Sequence, residues 1–210
     1  MKTNAKIKNH NFEDTVDYFN FNSVNTDFKI LDIINERFSR DFRVTVSQRL
    51  KNIVQIKQSL NNLKFKDWID QHSEISQCFS IVRLNHVKAP ILIKLDRNLS
   101  YGMIDLLSGG DGENSQVSNE KEFTMIELSL LKEIVNDVVD SLNDAWKPVV
   151  NILAEYIRLE VNPNFIGIVP EVTKVRVVEF VIEFASVKGV LQIVYPYSTL
   201  FPLRNLLYSV

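Results

Sequence analysis

Ser108-Gly109-Gly110-Asp111-Gly112 packs three of the chain's six glycines into four positions. Backbone without Cβ atoms can bring bare N–H and C=O groups close to a ligand or a partner surface. A phosphate cradle is the first chemistry such a run suggests. Its surroundings argue otherwise, because it follows a helical pattern rather than a strand and no Lys-Ser/Thr pair trails it. Gly109 suits the position just past a helix end, with positive φ, yet a helix stop needs only one glycine. On residues alone, a flexible turn and an exposed contact surface stay equally open.

Other reactive side chains are scattered. His10, His72 and His86 fall in a tail, a turn and a strand end, with no partner at metal-ligand spacing. The single Cys78 lies in an apolar strand pattern and reads as a small core residue. There is no Gly-x-Ser-x-Gly elbow, Walker loop or zincin helix. No metal or cofactor is called for.

The elements that must position the glycine run can be read from periodicity. Asp27 is the expected cap of a first helix, where Phe28, Leu31, Ile34 and Phe38 share a face. A second helical stretch is expected around 47–54. Strands are expected at 77–85 and 91–95, on either side of Ala89-Pro90. Helical spacing returns over 99–107, directly ahead of the glycines. Thr124 opens the longest helix, which runs to Trp146 and is stopped by Pro148. Strands follow at 152–161, 175–184 and 190–195, then a closing helix at 198–207.

The two halves repeat. Each reads as a long helix, a strand, a connection, two adjacent strands and a short amphipathic helix, offset by about 100 residues. Ile91-Leu92-Ile93 answers Leu191-Gln192-Ile193, and Asp32-x-x-Asn35 answers Glu133-x-x-Asn136. The fold expected is a duplicated α/β (α+β) domain with pseudo-two-fold symmetry, its central, largely antiparallel sheet flanked by helices.

Composition limits the function. With 210 residues, 45% hydrophobic, the chain can bury a substantial core. A net charge of −2 without any basic stripe disfavours nucleic acid and anionic membrane surfaces as partners. No apolar run approaches the 18 or so residues that span a bilayer. Residues 1–26 form a polar lead expected to be flexible or loosely packed, ahead of a body spanning 27–210.

Several blocks then resemble one family in order. They are Ile33-Ile34-Asn35-Glu36-Arg37-Phe38-Ser39-Arg40-Asp41-Phe42-Arg43, Leu106-Leu107-Ser108-Gly109-Gly110-Asp111-Gly112 and Glu122-Phe123-Thr124. Asp144-Ala145-Trp146-Lys147-Pro148, Glu155 to Glu160, Asn162-Pro163-x-Phe165 and Pro196-Tyr197-Ser198 through Arg204 continue the series. Together they resemble the middle domain of the flagellar motor switch protein FliM, which has the CheC/CheX-like fold.

That resemblance implies a non-enzymatic component of the cytoplasmic ring at the flagellar basal body, on the inner face of the cell membrane. It implies that Gly109, Gly110, Asp111 and Gly112 dock the rotor protein FliG, supporting torque transmission and switching. FliN and neighbouring FliM copies are the other implied partners, and Arg37, Arg43 and Arg158 either form lateral contacts or pair with Glu36, Glu155 or Glu160. The CheY-capture motif has only a faint echo at Phe12-Glu13-Asp14, so CheY is left open, and the FliN-like C-terminal domain is expected to be absent. The alternative is a CheC/CheX-like phosphatase acting on phosphorylated CheY. Ser129, Glu133 and Asn136 match that family's spacing on one helix face, while Asp32 and Asn35 give an imperfect second copy. In such enzymes the Asn amide orients the attacking water.

Overall fold

The computed structural model describes residues 28–73, 77–85, 87, 89–112 and 122–207. Its two long helices, α1 (Lys29–Leu50) and α4 (Met125–Trp146), lie side by side over one face of the sheet. On α1 the buried residues Leu31, Ile34, Phe38, Phe42, Val46 and Leu50 recur every three or four positions, one stripe of a helix. On α4 the start is set by a capping box, in which Thr124 Oγ1 accepts from Glu127 N–H at 3.3 Å and Glu127 Oε2 accepts from Thr124 N–H at 2.7 Å.

Six strands make one antiparallel sheet: β1 (Gln55–Lys64), β2 (Cys78–Leu84), β3 (Ile91–Leu95), β4 (Ala154–Glu160), β5 (Lys174–Phe184) and β6 (Val187–Pro196), in the order β1-β5-β6-β3-β2-β4. Exchanging each strand with its counterpart in the other half turns this order into its own reverse. The pseudo-two-fold axis therefore crosses the β3–β6 ladder, where Ile93 faces Ile193. Far from the axis, Gln55 faces Glu183 and Arg83 faces Glu155, the same pairing shifted by the repeat.

Alternation along the central strands sends side chains to two cores. Ile91, Ile93, Leu95, Phe180, Ile182, Leu191 and Ile193 pack under α1 and α4, where Phe38 meets Phe42 at 5.4 Å and Phe180 at 4.9 Å between ring centroids. The other face carries a smaller cluster of Phe79, Leu92, Val177 and Val194 beneath α2 (Phe65–Gln71), which contributes Phe65 and Trp68. His72 follows α2, its ring tilted against Trp68 at 4.6 Å between centroids, and burial pulls its imidazole pKa down.

Two sequence expectations change, and one strand was not foreseen. No separate second helix forms around 47–54: α1 itself continues to Leu50, stops at Lys51 in the left-handed region (φ 50), and gives way to β1. The strand β1 escapes the alternating pattern because most of its side chains are exposed on both faces of an edge strand. The closing helix is broken into α5 (Tyr197–Leu200), a 3-10 turn at Phe201–Leu203 containing Pro202, and α6 (Arg204–Leu207), since proline removes a backbone donor. Asp27, His10 and His86 lie outside the described residues. The helix α1 begins after Phe28, which offers no side-chain cap. No helix among the described residues is long and apolar enough to cross a membrane.

Phe38→Ala is expected to cost about 3–5 kcal/mol by chemical denaturation, and a loss below about 1 kcal/mol would contradict this account of the core. Since His72 prefers its neutral form when folded, acidification through pH 6.5 costs the wild type stability, at most about 1.4 kcal/mol per pH unit. His72→Gln should lack that slope in denaturation series between pH 7.5 and 5.5.

Candidate functional site

The glycine loop hangs from α3 (Arg97–Leu107), a helix held at both ends. At its start Asp96 Oδ1 caps Leu99 N–H at 2.8 Å, while Oδ2 accepts from Val190 N–H at 2.7 Å. Burial raises the Asp96 pKa, partly offset by these two backbone donors. Along its length α3 lies so close to β6 that a Cβ on Gly102 would come within 2.6 Å of the Val187 methyls. The helix that presents the loop thus has little room to shift.

At the other end the chain turns with Gly109 at φ 90, as its position past the helix end predicts. Gly109 N–H donates to Leu106 O at 3.1 Å and Gly110 N–H to Asp105 O at 2.9 Å, using up orphan carbonyls of the last turn. The Asp105 carboxylate then reaches across and accepts from Gly112 N–H at 2.8 Å. Ser186 Oγ, in the two-residue turn between β5 and β6, donates to Gly112 O at 2.7 Å.

These bonds divide the four predicted residues. Ser108, Gly109, Gly110 and Asp111 are exposed, whereas Gly112 is buried against Ala185. Gly112, with φ 77, is therefore the anchor of the loop rather than part of its outer surface. Gly110 has a packing reason of its own, because any Cβ there would overlap the Asp105 carboxylate. The outward strip is short, with few side chains, and fixed at both ends.

Two pins of this loop escaped sequence reasoning, Asp105 and Ser186. Asp105 left a signal: an acid in the last helical turn opposes the helix dipole and needs a compensating donor. Ser186 left none, since only the fold brings the β5–β6 turn beneath the loop.

The three α4 residues of the phosphatase reading share one face, with Ser129 and Glu133 exposed and Asn136 half-buried. A turn away Asp137 pairs with Arg49 of α1, Nη2 to Oδ1 at 2.7 Å, and hydrogen bonding to Asp137 holds the Arg49 guanidinium more firmly protonated. The second copy is spent inside the domain. Asn35 is wholly buried, accepting from Tyr195 OH at 3.2 Å, and Asp32 takes Arg176 at 2.5 Å.

The remaining candidates have structural places. Cys78 is buried and its thiol is pushed up to about 12 by desolvation, so it stays protonated. Trp146 packs against Tyr195 at the end of α4. Arg37 pairs with Asp41 rather than with a glutamate, Arg158 pairs with Glu160, and Glu155 pairs with Arg83. Arg43 is exposed. Among the described residues no group of three or more His, Cys, Asp or Glu converges as a metal site.

A palindromic six-strand antiparallel sheet, with paired long helices on one face, defines a duplicated CheC-like domain. The model of the flagellar motor switch protein FliM family matches residues 24–210. This chain belongs to the FliM family. FliM of Pseudomonas aeruginosa is 30% identical over 179 residues, covering 84% of this chain and 54% of that protein. The chain spans about half the length of the curated relatives it matches. Among solved structures, the FliM middle domain of Vibrio alginolyticus is 26% identical and superposes with a TM-score of 0.75, covering 84% of this chain and 99% of that one. FliM in a FliG–FliM complex from H. pylori has the same fold, with a TM-score of 0.78 at 22% identity, over 84% and 96% of the two chains.

Asp105→Ala should leave the global unfolding free energy within about 1–3 kcal/mol of wild type. It should also drop the Gly112 backbone order parameter from about 0.85 to below about 0.6 in NMR relaxation. An unchanged order parameter would mean that the carboxylate does not hold the loop.

Proposed function

We infer that residues 27–210 act as the middle domain of a flagellar switch component, docking FliG through the exposed main chain of Ser108–Asp111. One observation carries this reading: a strip of backbone nearly free of side chains is held out from the fold by bonds at both of its ends. Fixing the strip beforehand removes ordering cost at the moment of binding. With little side-chain bulk, a partner's apolar patch can approach it closely, and the half-buried Leu106 and Leu107 add apolar surface beside it. The H. pylori relative of the same fold was solved in complex with FliG. In the cell this domain stands in the cytoplasmic ring at the basal body, beside FliN and further copies of itself, where it supports torque transmission and switching.

The phosphatase alternative is disfavoured by the fate of its residues. A CheC-like enzyme with two working helices needs its Asn amides free to enter the partner's site, and here Asn35 is committed to Tyr195. Only the Ser129, Glu133 and Asn136 set still faces outward.

Asp111 gives the cleanest test, because it is exposed and its backbone does not occupy the left-handed region. Asp111→Trp should weaken FliG capture at least about tenfold, or about 1.4 kcal/mol, with an unchanged melting temperature. Undiminished capture would remove the loop from the interface. Gly110 is a poorer site for this test, since a side chain there also dislodges Asp105.

A further inference from the structure

Away from the glycine loop, the sheet face opposite α1 and α4 holds a cavity of about 430 Å³ between the edge strand β1 and α2. Its lining is mostly polar, and Leu63, Trp68 and Val177 supply the apolar part. One side is polar and joined by side-chain hydrogen bonds. Trp68 Nε1–H donates to Gln192 Oε1 at 3.0 Å, and Gln192 Nε2 donates to Glu179 Oε2 at 2.8 Å. This chain of bonds orients the Glu179 carboxylate and occupies only part of its acceptor capacity.

His72 also lines the cavity. Its Nδ1 lies 2.6 Å from the Trp68 carbonyl oxygen, so Nδ1 must carry the hydrogen and donate, and the neutral ring turns an Nε2 lone pair away from that bond. Glu179 and His72 therefore offer acceptors, Ser59, Asn61 and Gln71 add groups that both donate and accept, and Glu179 carries the one charge of the lining. Lys94 stands on β3 beyond Gln192, is itself engaged, and does not line the cavity. A few apolar side chains beside one carboxylate and an imidazole acceptor match a short alkyl stem ending in a cation.

We propose that the β1–α2 cleft is a binding site for an alkylammonium group, its stem against Leu63 and Val177 and its N–H donors on Glu179. The same chemistry is offered by a free amine and by a lysine side chain of a protein partner. Titration of the 210-residue chain with n-butylammonium and with Nα-acetyl-lysine methylamide, followed by the Trp68 indole N–H resonance, separates the two sources. Both ligands should shift that resonance with affinities on the order of millimolar if a partner's lysine is the occupant. Response to n-butylammonium alone assigns the site to free amines.

Glu179→Gln keeps an acceptor for Gln192 and should weaken binding at least about tenfold. Asn61→Trp, at the exposed mouth, should block entry without touching the core. No shift from either ligand, equal binding of neutral n-butanol, or full binding by folded Glu179→Gln protein would each overturn the assignment.

Discussion

A carboxylate in the last turn of α3 is an awkward neighbour for a helix C-terminus, where the dipole is already negative. Asp105 is tolerated there because it receives the N–H of Gly112. That bond is the constraint on which the site depends. It closes the glycine segment into a small ring of backbone, with Ser186 holding the far side from the β5–β6 turn. Without it, residues 109–111 would be free to sample many shapes, and any partner would bear the entropy of selecting one. The rest of the domain makes this local closure stiff. Asp96 fixes the start of α3 to β6, Gly102 lets helix and strand approach, and β6 is a central strand of the sheet.

Duplication explains both the architecture and its asymmetry. The sheet is symmetric about the Ile93–Ile193 pair, and α1 answers α4 on the same face. The halves have diverged where chemistry is concerned. Asn35 and Asp32 bond inward to Tyr195 and Arg176, whereas their counterparts Glu133 and Asn136 keep an outward face. Likewise α3 ends in the glycine loop, while the corresponding stretch after β6 is interrupted by Pro202 and has no such loop among the described residues. One repeat has turned its helix residues inward and carries the exposed glycine loop.

Much of this was legible from residue order. Helical stripes on α1 and α4, the Thr124 cap and the apolar strand runs at 175–184 and 190–195 follow from burial. The repeat order itself implied one sheet built twice. Edge strand β1 was not legible, because Gln55–Lys64 is exposed on both faces and carries no alternation to read. The glycine run left a flexible turn and an exposed contact surface equally open, and gave no sign that Gly112 is buried within it. That division depends on Asp105 and Ser186, one seven residues before Gly112 and the other 74 after it. Long-range pins of this kind follow from topology, and short-range patterns carry no trace of them.

Hydrogen exchange at the loop amides, measured residue by residue with and without FliG, bears most directly on the central claim. The account predicts that Gly109, Gly110 and Asp111 slow by at least about tenfold in the complex, while Glu133 and Asn136 on α4 keep their free rates. A complex that forms with those three amides unchanged, or that protects the α4 face instead, would contradict it.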